Sequence, residues 1–227
     1  MDALCKRSWQ LSDLTSGRSP IGGHAPGRQG QAVHEYLVER PRDLGPVQAD
    51  EIRVKTQGRI VWMVLALMGK PRLWLGGEVS AQRDMPLIRR LIERVRRGAA
   101  RRPLLVCTEG LVADSWASRE TFRAPVHTGT GGRPRRRPWH PVLIAQVVTR
   151  DARRRVVETE RRMVDGTPAR VEPRRCRSQG DGVITTADIE RLNATFRGRL
   201  APLARRCRAL AHHTLTWHEG MLVVGPV

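Results

Sequence analysis

Three acidic side chains, Asp50, Glu109 and Glu190, stand in segments that an alternating strand and helix order would bring together. Asp50 sits in a strand-like run, Glu109 follows a short apolar run, and Glu190 opens a basic amphipathic helix. Carboxylate oxygens are hard donors that suit Mg²⁺ or Mn²⁺. Two such ions about 4 Å apart, held by shared carboxylates, activate a water and stabilise the leaving oxygen of a phosphate ester. The chain carries 22 acids, so spacing alone leaves many other triples open. Glu190 taken singly has a second reading, a solvated charge on the polar face of its helix.

A second set of residues points to phosphate. Arg133, Arg135, Arg136 and Arg137 crowd a stretch broken by Gly129, Gly131, Gly132, Pro134 and Pro138. That density predicts an exposed basic loop over residues 126–140 in contact with phosphate, with a solvated linker as the plain alternative. Trp139 beside it reads either as a base-stacking platform or as a small packing anchor. The formal net charge of +19 and isoelectric point near 11.6 call for a polyanionic partner, nucleic acid before acidic membrane. Lys6, Lys55 and Lys70 are the lysines among 41 basic residues, and the arginine fork matches phosphate bidentately. GC-rich codon usage produces the same preference for arginine, though not the net charge.

Other chemistries find little support. Cys5, Cys107, Cys176 and Cys207 are far apart and form no C-x-x-C pair, which argues against a zinc module. His212, His213 and His218 lack a cysteine set to join and read as surface histidines. The N-terminal residues show no secretion signal, and the longest apolar run, residues 60–68, is too short for a bilayer. These features predict a cytoplasmic protein with no membrane partner.

Periodicity gives the elements that must position the acids. Gly, Ser, Pro and Arg over residues 12–31 predict a flexible basic arm spanning 1–32. A short helix begins at Val33 and ends before the turn chemistry of residues 41–46. Runs at 47–55, 59–68 and 72–80 predict a three-strand antiparallel meander. Its middle run is apolar throughout, as in a central strand buried on both faces. Asp84 caps the next helix, Pro86 lies in its first turn, and Met85, Ile88, Leu91, Ile92 and Val95 form its apolar stripe. A short buried strand over 104–107 and a helix over 113–122 follow. Residues 141–148 are strand-like, 151–162 read as solvated, and 167–182 read as a loop. Thr185 or Thr186 then caps a last helix over 186–211. Ile189, Leu192, Phe196, Leu203, Cys207 and Leu210 share its apolar face, and Gly198 with Pro202 predicts a kink. This order predicts an α/β protein with a ribonuclease H-like mixed sheet: a three-strand meander, then helix-strand-helix, a basic insertion and a late catalytic helix.

Gln48-Ala49-Asp50-Glu51-Ile52 resembles the Asp-Glu motif that opens the catalytic domain of DDE-type insertion-sequence transposases. Leu105-Val106-Cys107-Thr108-Glu109-Gly110-Leu111 resembles the strand and turn that carry the second acid. Ile184-Thr185-Thr186-Ala187-Asp188-Ile189-Glu190-Arg191-Leu192-Asn193-Ala194-Thr195-Phe196-Arg197 resembles the helix that carries the third, with Leu203-Ala204-Arg205-Arg206 after it. The likeness is to the group related to the insertion-sequence-one elements, and it runs from about residue 33 to the end. It implies a ribonuclease H-like catalytic domain over 33–227 that cuts DNA at element ends and joins them to target DNA. It further implies a homo-oligomer on DNA, associated with a bacterial or archaeal nucleoid. Asp50, Glu109 and Glu190 would be the catalytic ligands of Mg²⁺ or Mn²⁺. Arg191, Arg197, Arg205 and Arg206 would join the basic loop in contacting DNA.

The chain departs from this group in several places. The second acid is normally Asp, and Glu109 is one methylene longer. Thr185-Thr186 stands where relatives commonly read Asn-Thr, no N-terminal helix-turn-helix or zinc module is legible, and the chain stops early. These departures imply an alternative, a truncated or degenerate copy that binds DNA without cutting it.

Overall fold

A computed structural model of the chain describes residues 25–55, 60–109, 112–126, 134–139, 142–152, 155–175, 183–200 and 214–225. Helix α1 (Ala25–Val38) precedes strands β1 (Pro46–Lys55), β2 (Ile60–Met68) and β3 (Leu73–Ser80). Then come α2 (Met85–Gly98), β4 (Leu104–Thr108), α3 (Val112–Thr121), β5 (Arg123–Val126) and β6 (Arg135–Pro138). The described chain continues through β7 (Val142–Ala152), β8 (Arg155–Asp165), α4 (Pro168–Arg175), α5 (Ala187–Arg199) and α6 (Thr214–Val224).

Six strands form one mixed sheet in the order β3-β2-β1-β4-β7-β8. The meander is antiparallel, with Val47 opposite Met68 and Trp62 opposite Ser80. β4 lies parallel to both β1 and β7, and β8 returns antiparallel along β7. The fold is therefore α/β, with a mixed six-stranded sheet and helices.

Strand β2 is buried on both faces, and its alternating side chains feed two separate cores. Val64 and Ala66 pack with Leu87, Leu91 and Ile92 of α2. Met63, Leu65 and Leu67 pack with Ile189 and Phe196 of α5 and Trp217 and Met221 of α6. The same alternation on β1 sends Val47 and Ala49 toward α2, while Ile52 and Val54 join the α5 core. Gln48 and Asp50 share the α5 face by the same two-residue period. A third cluster, Leu105, Cys107, Leu143 and Ala145, is covered by Val171 of α4.

Helix α2 forms as its periodicity predicts. Leu87 N donates to Asp84 Oδ1 at 3.1 Å, and Arg96 and Arg97 in the last turn complement the helix dipole.

Elsewhere the structure corrects the sequence reading. Residues 25–32, expected in the flexible arm, are the first half of α1, while residues 1–24 lie outside the described residues. Gly30 allows α1 to approach α6: a Cβ there would lie 2.3 Å from the backbone oxygen of Leu222. Of residues 151–162, read as solvated, 151–152 end β7 and 155–162 belong to the edge strand β8, and residues 168–175, read as loop, are α4. The late helix expected to run from 186 to 211 ends at Arg199, where Leu200 turns to an extended backbone. Gly198 lies in the last turn of α5, and the remainder of the expected kink and helix, residues 201–213, lies outside the described residues.

Candidate functional site

Strand β1 carries Asp50, Glu109 directly follows β4, and α5 carries Glu190 in its first turn. β1 and β4 are parallel neighbours, so their C-terminal halves bring Asp50 and Glu109 to the same side of the sheet. Helix α5 lies across β1 and β2 because Ile189 and Phe196, both fully buried, anchor it there.

Side-chain contacts then join the three acids. The Thr186 hydroxyl donates to Glu190 Oε1 at 2.9 Å and reaches Glu109 Oε1 at 3.4 Å. The Glu190 carboxyl lies close enough to Glu109 to raise its proton affinity. Asn193, one helical turn beyond Glu190, donates its amide to Asp50 Oδ2. Of the two expected cap residues, Thr185 and Thr186, the second stands at the cap position, but its hydroxyl makes no cap bond and points into this cluster. Thr185 takes up part of that role, accepting from Ala187 N at 3.1 Å.

Charge crowding is visible in the proton affinities. Partial burial, then the Asp50 charge, then the hydrogen bond and charge of Glu190 push the Glu109 carboxyl up to about 7, against a small opposing pull from Thr186. Asp50 is also raised, by burial first, with the charges of Glu51 and Glu190 adding to it. A backbone hydrogen bond from Glu51 and the positive charge of Arg197 pull the other way. The acids thus meet partly through a retained proton. Among the described residues no three such groups stand ready-made to hold a metal ion.

The donor set nevertheless fits a hard divalent cation. It is made of carboxylate oxygens. At Asp50 and Glu109 burial first, and neighbouring negative charge after it, raise the proton affinity, and a cation offsets that charge. Asn193 adds a buried Oδ1 without a hydrogen-bond partner beside Asp50. Ala49, Asp50, Glu51, Val64, Ile88, Leu91 and Glu109 line a cleft at this end of the sheet. Glu51, adjacent to Asp50 in the sequence motif, is paired with Arg83.

The sequence-predicted arginines divide. Arg197 acts on Asp50 electrostatically, and an Arg191 nitrogen lies 3.7 Å from Asp188 Oδ1. Arg135, Arg136 and Arg137 form the exposed strand β6, paired with β5 in a two-stranded sheet that carries none of the three acids. Residues 135–138 are therefore strand where loop was expected. Arg133, Arg205 and Arg206 lie outside the described residues. Trp139 is a packing anchor: its ring meets Phe122 edge-on with centroids 6.0 Å apart, and the guanidiniums of Arg96 and Arg101 lie over it. Cys107 is buried in β4, and burial pushes its thiol up to about 12. Cys5, Cys176, Cys207, His212 and His213 lie outside the described residues.

Sequence reasoning missed Thr186 as a contact of the acids, and it missed Asn193. The available signal for Asn193 was its three-residue step from Glu190, which puts both on one helix face. Among the described residues no helix is long and apolar enough to cross a membrane. No family model matches the chain, and no curated protein sequence matches it.

Proposed function

We propose that the chain is a DDE-type transposase catalytic domain with a ribonuclease H-like sheet, cleaving DNA strands and transferring them to target DNA. The observation that carries this reading is the meeting of Asp50, Glu109 and Glu190 from β1, the end of β4 and α5. The sheet order β3-β2-β1-β4-β7, with β2 alone antiparallel among the five, is compatible with that fold.

Asp50, Glu109 and Glu190 would hold Mg²⁺ or Mn²⁺. Such ions supply Lewis-acid activation of a water or 3′ hydroxyl and stabilise the leaving oxygen. The chain's own groups orient the ligands. Asn193 fixes Asp50, Thr186 fixes Glu190, and Glu109 gives up its proton as the site takes on positive charge. Arg191 and Arg197, on the exposed side of α5, supply positive charge for the DNA phosphates.

Strand cleavage of DNA in Mn²⁺, compared with Glu190→Gln, tests the reading. Cleavage by the wild type and loss of at least about a hundredfold in the variant is expected for a lost ligand of the chemistry. Equal behaviour of the two removes Glu190 from catalysis. A second reading, a DNA-binding remnant without activity, is favoured by one feature. Glu109 is longer than the Asp usual in the group the sequence resembles, and its carboxyl is pushed up to about 7, by burial first. Including Glu109→Asp separates the two. Activity gained on that change marks a damaged enzyme, and a silent wild type with a silent variant marks the remnant.

A further inference from the structure

Gln48 lies two residues before Asp50 on the same face of β1, and it is almost fully buried. Its side-chain oxygen accepts from the backbone N–H of Ile189 at 2.9 Å. Its amide nitrogen donates to Asp188 Oδ2 at 3.2 Å. One side chain thus grips both a backbone donor and a carboxylate in the first turn of α5. Asp188 is itself buried, with 6% of its surface exposed. Its other oxygen accepts from Arg72 Nε at 3.0 Å. Arg72, in the turn between β2 and β3, holds a left-handed backbone at φ 68°, a conformation costly for a residue with a Cβ.

We propose that Gln48 and Asp188 are positioning residues that lock α5 onto β1 in the one register that sets Glu190 beside Glu109 and Asn193 beside Asp50. An apolar anchor cannot do this alone. Ile189 and Phe196 hold α5 to the sheet, but apolar contact is non-directional and tolerates sliding or rotation of the helix. Hydrogen bonds to a buried amide have fixed directions, and leaving Ile189 N–H or Asp188 unsatisfied in the core is costly. The lock also explains why a carboxylate is buried two residues before Glu190. Asp188 accepts from the strand and from the β2–β3 turn, and so ties three elements at the site. Its consequence for metal binding rests on the function proposed above, while the register itself does not.

The test uses the full chain and two readouts. The first is the side-chain amide signal of Asn193 in nitrogen-resolved NMR, which reports its bond to Asp50 without any metal. The second is line broadening at the site on adding Mn²⁺. Gln48→Leu should shift the Asn193 signal toward that of a free amide and weaken Mn²⁺ binding by about tenfold or more, as loss of an outer-sphere support does. Combining Gln48→Glu with Asp188→Asn reverses donor and acceptor, keeps the bond to Ile189 N–H, and should restore both readouts. If Gln48→Leu fails to fold, the reversed pair still decides, because restored readouts are then required. An unchanged Asn193 signal in folded Gln48→Leu, or no recovery in the reversed pair, overturns the lock. A shifted Asn193 signal in Gln48→Leu, with no Mn²⁺ effect even in the wild type, upholds the lock and removes the metal reading instead.

Discussion

Glu109 keeps a proton near neutrality, so its titration contributes to the pH dependence of stability and of the proposed metal binding. Its carboxyl titrates at about 7 in the folded chain against an ordinary value of 4.5. A raised folded value means that the protonated form is favoured by folding. The stability it contributes is present below pH about 4.5 and is lost as pH rises through about 7. Glu109→Gln keeps the size and the hydrogen-bond donor but cannot ionise. Its melting temperature should match the wild type at low pH and exceed it above pH about 7, as read by circular dichroism. The comparison must be between the two proteins. His34, held down to about 4 by burial and then by Arg94, acts in the opposite sense, costing stability as pH falls below 6.5. Melting curves that shift equally with pH in both proteins would show that Glu109 ionises freely. In the wild type, metal affinity should climb as pH rises through about 7, because the ligand must lose its proton first. The sequence made the three acids legible by type and order. It did not make the raised proton affinity of Glu109 legible, because that depends on burial and on charges that only the fold brings beside it.

At the scale of elements, what could be read was what the local pattern alone dictates. Helix α2 has a cap, a first-turn proline and an apolar stripe, all within 14 residues. Asp84→Ala should therefore cost about 1 kcal/mol in urea denaturation, the usual worth of such a cap. A loss near zero would mean that the bond from Leu87 N contributes nothing. Strand β2 was legible because burial on both faces demands an unbroken apolar run. β8 was not, since it is a sheet edge: its exposed Glu158, Glu160, Arg161 and Arg162 read as solvated chain, and only pairing with β7 makes them a strand. Helix α4 was hidden by Pro173 and its arginines, with Val171 as its buried contact. α1 was hidden by its glycines, of which Gly30 serves a close approach to α6 that is distant in sequence. In each case the deciding contact is distant in sequence, so no local window contains it.

For the whole molecule, a net charge of +19 sets the scale of attraction to a polyanion, but it does not say which arginines meet phosphate. Ion pairing sorts them. On β6 the side chains alternate, so Arg135 and Arg137 share one face and Arg136 takes the other. Arg136 is bound to Glu120 at 3.1 Å, and Arg123 lies 3.5 Å from the same carboxylate. A paired arginine must give up its partner before it neutralises a phosphate, so its contribution to binding is discounted. If the proposed DNA interface includes β6, affinity for duplex DNA falls linearly in a plot of log affinity against log salt. Arg135→Ala and Arg137→Ala should each reduce the magnitude of that slope by about 1, uniformly across DNA sequences. Arg136→Ala should reduce it by less, because Glu120 already offsets that charge. Fluorescence anisotropy over a salt series measures all three. Equal effects at the three positions would mean that the Glu120 pair opens at no cost on binding. No effect at any would place the phosphate track elsewhere on the molecule, with Arg191 and Arg197 of α5 as the next residues to substitute.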